Sequence, residues 1–256
     1  MKIVDRLLKI FAVVCSLTLT IILSSNVYAD EITKGVRGPT LWQIDDRIIY
    51  NKTTINVEAT TNNFILKYWD GDGFGKWGFV SLPYKFINSQ KGTDDGLGDM
   101  AAGFGPRGRI DNYHYFLYGA VTFPTGDTEK KNALGNGRYD ARLAWLSTYF
   151  IADKRFEIDW IIEYTYTGEN KKRVNPPDEI YIGGPLIGGK ITDRIIFITG
   201  VTDLIKDNGD FLLNSSSHIR YTVSKGLHFQ LVGNFGIDNK NIPKGNGVSL
   251  FIRINF

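Results

Sequence analysis

Cysteine is almost missing from this chain: Cys15 is the only one, and it sits inside an N-terminal apolar run. Once that run is removed as a leader, no thiol remains, which excludes disulfides, thiolate metal sites and cysteine nucleophiles together. Histidine is scarce too, with only His114, His218 and His228. Neither a zinc-ligand spacing nor a phosphate-binding glycine loop appears. Asp70-Gly71-Asp72-Gly73 echoes a calcium loop but lacks the remaining ligands and the glutamate at the twelfth position, so it reads as a hairpin turn. No metal or cofactor is expected. There is no basic run, and without Lys2, Asp5, Arg6 and Lys9 the 30 basic and 27 acidic residues become 27 and 26. Nucleic acid is therefore not an expected partner. After residue 29 no apolar stretch approaches the ~20 residues a membrane helix requires.

The leader has the parts of a secretory signal. Lys2, Arg6 and Lys9 form a basic start, Ile10 to Leu23 an apolar core, and Val27-Tyr28-Ala29 a cleavage site. Residues 1–29 are expected to be removed. Cys15 lies within the apolar core instead of ending it, which argues against a lipid anchor.

What the mature chain has is alternation. From Phe156 to Tyr166, Phe156, Ile158, Trp160, Ile162, Tyr164 and Tyr166 fall on one face, and Glu157, Asp159, Ile161, Glu163 and Thr165 on the other. Tyr139, Ala141, Leu143, Trp145 and Tyr149 repeat the apolar face, with Arg138, Asp140, Arg142 and Thr148 opposite. Strands of soluble sandwiches are usually about 5 to 6 residues, whereas tilted membrane crossings need about 9 to 11. About twelve such segments can be placed, near 53–59, 63–69, 76–86, 97–107, 113–124, 138–150, 155–167, 179–190, 194–202, 213–223, 227–236 and 247–256, an even number as bacterial barrels require. Short links (151–154, 191–193, 224–226) alternate with longer polar ones (125–137, 168–177, 203–212, 237–246), which implies both termini on the periplasmic side. Asp30 to Lys52 shows no clear alternation and is expected to be an N-terminal extension or small plug, with the barrel occupying 53–256.

The last strand carries an address. Val248, Leu250, Ile252, Ile254 and Phe256 share one face, while Ser249, Phe251, Arg253 and Asn255 share the other. It resembles the closing strand of bacterial outer-membrane β-barrels, whose terminal aromatic the assembly machinery recognises. That resemblance makes the machinery a partner through Phe256, beside outer-membrane lipid.

A second resemblance rests on Gly96-Leu97-Gly98-Asp99, Phe123-Pro124-Thr125-Gly126-Asp127 and Leu134-Gly135-Asn136-Gly137. In order and spacing these are similar to motifs of the "MetA-pathway of phenol degradation" family of outer-membrane proteins. The family implies a barrel that passes small, often hydrophobic or aromatic, molecules. Read as residues alone, the same motifs are turn chemistry at a barrel rim.

The phase of the strands directs charges inward. Arg138, Asp140, Arg142, Glu157, Asp159, Glu163, Arg220 and Arg253 are the expected lumen or constriction set, with Arg142 opposite Glu163, joined by Glu58, Lys67, Lys85 and Asp99. Trp69, Phe116, Tyr118 and His218 are the inner-face groups placed to contact a solute. Tyr113, Tyr115, Phe123, Tyr139, Trp145, Tyr149, Trp160, Tyr164 and Tyr166 fall on outer faces, where aromatic girdles belong. Two readings of the charged set stay open: a polar constriction that selects solutes, or a salt-bridge network that fills the interior. Ser217 precedes His218, yet neighbours in a strand point to opposite faces and cannot form a dyad. The sequence thus describes an all-β, up-and-down antiparallel transmembrane barrel acting as an outer-membrane channel or passive transporter, and not an enzyme. An outer-membrane lipid-directed hydrolase or acyltransferase and a plugged structural barrel are the alternatives.

Overall fold

The computed structural model describes residues 41–70, 74–152, 154–169, 176–224 and 226–256. The expected leader and residues 30–40 lie outside them. Among the described residues there are thirteen strands: β1 (Leu41–Thr53), β2 (Glu58–Trp69), β3 (Phe74–Ser89), β4 (Gly92–Leu97), β5 (Met100–Ile110), β6 (Tyr113–Phe123), β7 (Asp140–Ile151), β8 (Phe156–Thr167), β9 (Glu179–Lys190), β10 (Ile195–Lys206), β11 (Phe211–Ser224), β12 (Leu227–Lys240) and β13 (Gly245–Asn255). β1 pairs with both β2 and β13, so the sheet closes on itself. β4 and β5 pair with successive parts of β3 and so make one stave broken at Gly98-Asp99. The result is a closed antiparallel barrel of twelve staves with one strand more than that count.

Closure removes the sheet edge along the span: apart from β4, which among the described strands pairs with β3 alone near the outer mouth, every strand finds backbone partners on both sides, as a span through hydrocarbon demands. The start of β1 and the end of β13 meet at one end of the barrel: the Trp42 amide donates to the Phe256 carbonyl at 3.0 Å, and the Phe256 amide donates to the Trp42 carbonyl at 2.9 Å. The connections at that end are short, as between β5 and β6, β7 and β8, β9 and β10, and β11 and β12, whereas the longer ones after β6 and β8 leave from the other end. The short-turn end faces the periplasm by the rule for bacterial barrels.

The side-chain phase matches the sequence over most of the chain. Tyr139, Trp145, Tyr149, Tyr164 and Tyr166 are exposed on the outside, and Trp145 and Trp160 meet edge to face at 6.5 Å. On β13, Arg253 points inward to Asp45, which puts Val248, Leu250, Ile252 and Ile254 on the outer face. Phe251, the apolar exception on the inner face, lies under the Arg47 guanidinium at 5.0 Å from its ring centre.

Three expectations need correction. Residues 41–52 are neither extension nor plug: they form the first barrel strand, paired with both neighbours. Alternation fails there because Asp46 interrupts the outward series of Trp42, Ile44, Ile48 and Tyr50, while Gln43, Asp45 and Arg47 face inward. The expected segments 53–59 and 63–69 accordingly become a four-residue turn and β2. Segment 97–107 divides between β4 and β5. The expected long links 203–212 and 237–246 shrink to 207–210 and 241–244, because β10 continues past Asp203 to pair Leu204 and Ile205 with Leu212 and Phe211 of β11, and β12 runs on to Lys240.

The outward apolar band makes a direct test possible. Leu231, 47% exposed, lies midway along the membrane-facing part of β12. Leu231→Arg is expected to cost about 2–4 kcal/mol in denaturant unfolding from lipid vesicles. Retention of full stability would contradict the assignment of this face to lipid.

Candidate functional site

The lumen wall is built from inward residues that the alternation delivers level by level. At the seam where β13, β1 and β2 meet, Asp45 is 1% exposed. It receives Lys67 Nζ at 2.5 Å, Arg253 Nε at 3.0 Å and Arg47 Nη2 at 3.2 Å. Three cations therefore share one carboxylate. A buried charge is tolerated only with such partners, and here the excess is positive.

Across the lumen the sign reverses. β8 presents Glu157, Asp159 and Glu163 on its inner face. Tyr118 Oη donates to Glu163 Oε2 at 2.8 Å, reaching over the small, buried Ala144 on the intervening β7. Arg142 lies 3.7 Å from Glu163 and donates to Thr122 Oγ1 at 3.0 Å. Arg142 and Glu163 both point inward as expected, but they are diagonal neighbours: Arg142 stands opposite Thr165, and Glu163 opposite Ala144. The shift of two residues comes from a turn that closes at Ile151 and Phe156. Lower on β8, Glu157 pairs with Arg220 at 3.2 Å and Asp159 accepts from Thr148 Oγ1 at 2.5 Å. The Glu157 side chain passes over Gly188, where a Cβ would sit 2.6 Å from its Cγ. Arg138 and Asp140, 2.7 Å apart, lie nearer the outer mouth. Glu58 does not join the set; it is on the outer face, paired with Lys52.

Trp69, Phe116 and Tyr118 come together as expected, and two residues the sequence reading passed over complete the group. Trp77 lies 5.5 Å from Phe116, 5.1 Å from Tyr118 and 5.6 Å from Phe79. Trp69 is 5.9 Å from Phe116, with Arg107 over its ring at 5.7 Å. The signal was present: Trp77 and Phe79 have the same parity as Ser81 on β3, opposite a glycine-rich β5 that leaves room for large rings. The aromatic wall adjoins the cationic seam, since Lys67 stands opposite Phe79 and Trp69 opposite Trp77.

His218 lies apart from these aromatics, on β11. The pairing excluded for Ser217 is found one residue earlier: Ser216 Oγ is 2.8 Å from His218 Nε2, and Gln230 Nε2 is 3.1 Å from Nδ1. Ser216 also donates to Asn234 Oδ1 at 2.7 Å. With Gln230 donating to Nδ1, the histidine proton sits on Nε2 and the serine proton points away from it. Ser216 is 2% exposed. This row is a satisfied polar ladder, not a poised nucleophile.

The three glycine-rich motifs converge on one structure. Asp99 Oδ1 accepts the Gly126 amide at 2.9 Å and Oδ2 accepts the Asn136 amide at 2.5 Å, which ties both ends of the 124–139 loop to the β4–β5 break. Thr125 Oγ1 closes the same corner, accepting from the Met100 amide at 2.8 Å and donating to the Gly98 carbonyl at 3.0 Å. Gly135 is needed by contact: a Cβ there would lie 2.2 Å from Asp99 Oδ1. Leu134, 1% exposed, is driven against Gly96 and Gly98 on the inward face of β4, beside Lys85. Asn132 holds Asp94 and the Gly92 carbonyl at 2.7–2.8 Å. The loop therefore folds back over the lumenal side of the outer mouth. At loop 168–178, Asp178 accepts from Tyr164 Oη and the Thr167 amide, bonds that hold its carboxyl below the ordinary range. Such an anchor is lost only as pH falls through that lowered value.

An outer concavity of about 970 Å³ is almost wholly apolar, floored by Gly78, Ala102 and Gly119 and walled by Phe104 and Leu143. These residues point outward, so it belongs to the lipid-facing surface and not to the lumen.

The family described as "Putative MetA-pathway of phenol degradation" matches residues 47–252. The chain belongs to this family. Its match runs from within β1 to within β13 and takes in every clamp residue named above. No curated protein matches the sequence. Among solved structures, the chain is similar to an outer-membrane channel from Pseudomonas putida F1 at 13% identity, covering 91% of this chain and 100% of that one with a TM-score of 0.69. It is also similar to the NanC porin at 11% identity (82% and 98% covered, TM-score 0.52). The translocator domain of the autotransporter NalP from Neisseria meningitidis aligns at 6% identity over 97% of each chain, again with a TM-score of 0.52. What these distant structures share with this family member is the outer-membrane barrel.

Two outcomes follow from the geometry. Asp45→Ala strands three cations and is expected to destabilise the barrel by about 3–5 kcal/mol, read by unfolding in detergent; a loss below about 1 kcal/mol would show that the seam does not depend on it. Asp99→Ala removes two charge-assisted bonds worth about 1.5–3 kcal/mol each, so protease should cut within 124–139 while the strands stay intact. Unchanged protease resistance would contradict the clamp.

Proposed function

We propose that this barrel is an outer-membrane channel through which small molecules, hydrophobic or aromatic ones among them, diffuse down their gradients. One observation carries the reading. A mixed-sign ring and an aromatic wall line the same stretch of the lumen, with the 124–139 loop folded over its outer mouth. A ring of fixed charges around a narrow passage sets which solutes pass, as in known channels. Cations of the β1–β2–β13 seam facing carboxylates of β8 produce a transverse field, which orients a dipolar solute as it passes between them. Arg138, Asp140, Arg142, Glu157, Asp159, Glu163, Arg220 and Arg253 are the constriction set in this reading, and Trp69, Phe116 and Tyr118 the solute contacts. His218, held in its own ladder, is a polar wall group. Membership of the family and the shared fold with the P. putida channel support the assignment.

The hydrolase reading has the Ser216–His218 contact in its favour, but the direction of the serine proton and the burial of Ser216 argue against it. We also propose Phe256 as the assembly signal: its backbone is tied to Trp42 while the residue is 42% exposed.

Liposomes containing the purified barrel are expected to take up small polar and aromatic solutes faster than protein-free liposomes. Protein that shows the heat-modifiable migration of a folded barrel but gives no flux of any solute would overturn the channel assignment in favour of a plugged barrel.

A further inference from the structure

We propose that the lumen between the β1–β2–β13 seam and the β3–β6 wall is a subsite for a small aromatic carboxylate, its ring on the aromatics and its anion on the cationic seam. This rests on the channel reading and narrows its solute class. Mixed signs over the whole lumen would favour a neutral solute, but the signs are not mixed locally. Among the described residues, Arg47, Lys67 and Arg253 share Asp45 as their one carboxylate. The acids Glu157, Asp159 and Glu163 lie across the lumen on β8, engaged by Arg220, Thr148, Arg142 and Tyr118.

The cationic and aromatic sets are contiguous. Lys67 is the cross-strand neighbour of Phe79, whose ring is 5.6 Å from both Trp77 and Tyr118. Arg47 lies over Phe251 on the β13 side of the seam, and Arg107 covers Trp69. Hydrogen bonding gives a second, independent indication. Arg47 Nε, Trp69 Nε1 and Trp77 Nε1 are buried donors with no acceptor among the described residues. Unpaired donors beside surplus positive charge are costly, and a carboxylate oxygen relieves both costs at once. Rings within 5–6 Å of one another offer an edge and a face on which a further aromatic ring packs. An aliphatic anion would use half of this surface and an aromatic cation the other half.

Arg47 is the surplus member of the seam, because Lys67 and Arg253 still neutralise Asp45 without it. Arg47→Gln should therefore leave the barrel folded. The test is a titration of tryptophan fluorescence in the folded barrel with sodium benzoate, sodium acetate and benzylammonium chloride, beside single-channel current in potassium chloride with the same three additives. Benzoate should bind saturably and interrupt the current, acetate and benzylammonium much more weakly. Arg47→Gln should weaken benzoate binding about tenfold, the worth of one charge-assisted hydrogen bond, and Trp77→Leu should weaken it while leaving the acetate response unchanged. Equal responses to the three compounds, or unaltered benzoate binding in Arg47→Gln, would overturn the subsite. Current without benzoate preference would leave the channel reading standing, whereas benzoate binding without any current would remove that reading and keep the subsite.

Discussion

Hydrocarbon offers no water to an unpaired N–H or C=O, and this single constraint accounts for the closing ladder between Gln43–Thr53 and Gly245–Asn255. Everything else depends on that seam. Once β1 and β13 are joined, each stave must send alternate residues to lipid and to the lumen, so most charges of the span gather on the lumen side, with Asp46 of β1 an outward exception. The seam also carries its own electrostatic pin: Asp45 of β1 holds Arg253 of β13 and Lys67 of β2, tying three adjacent strands around one carboxylate. A hydrophobic seam would close as well. An ionic one fixes register, because a slip of one residue between β1 and β13 would put Asp45 and Arg253 on opposite faces of the sheet.

Much of this was legible in the sequence because period two is a strong signal where both faces obey it. The strands around Trp145 and Trp160 and the inward direction of Arg142, Glu163, Arg220 and Arg253 follow from parity alone. Parity failed where an outward residue broke the pattern, as Asp46 does in β1. It also failed where a charge interrupts a strand, as Asp203 does in β10, and where a strand runs on past its apolar stretch, as at the end of β12. Register was less accessible than face: the Arg142–Glu163 pair survived a two-residue error because long side chains reach diagonal neighbours.

The glycine motifs mark the limit of local reading. Taken singly, Pro124-Thr125-Gly126-Asp127 and Gly96-Leu97-Gly98-Asp99 are turn chemistry, and they do turn the chain. Only the fold brings Asp99 to the Gly126 and Asn136 amides and seats Leu134 in the space that Gly96 and Gly98 leave. The residues that shape the outer mouth are spread over about forty positions, and no spacing rule connects them. The Ser216–His218 contact makes the converse point, since residues two apart on a strand share a face and meet whether or not chemistry is required of them.

Single-channel recording in planar lipid bilayers tests the central claim most directly. The account predicts discrete, stable current steps from wild-type protein whose heat-modifiable migration shows the folded barrel, with larger steps once Asp99→Ala releases the 124–139 loop. Folded barrel that inserts and yet carries no current in either form would contradict a solute path through the lumen.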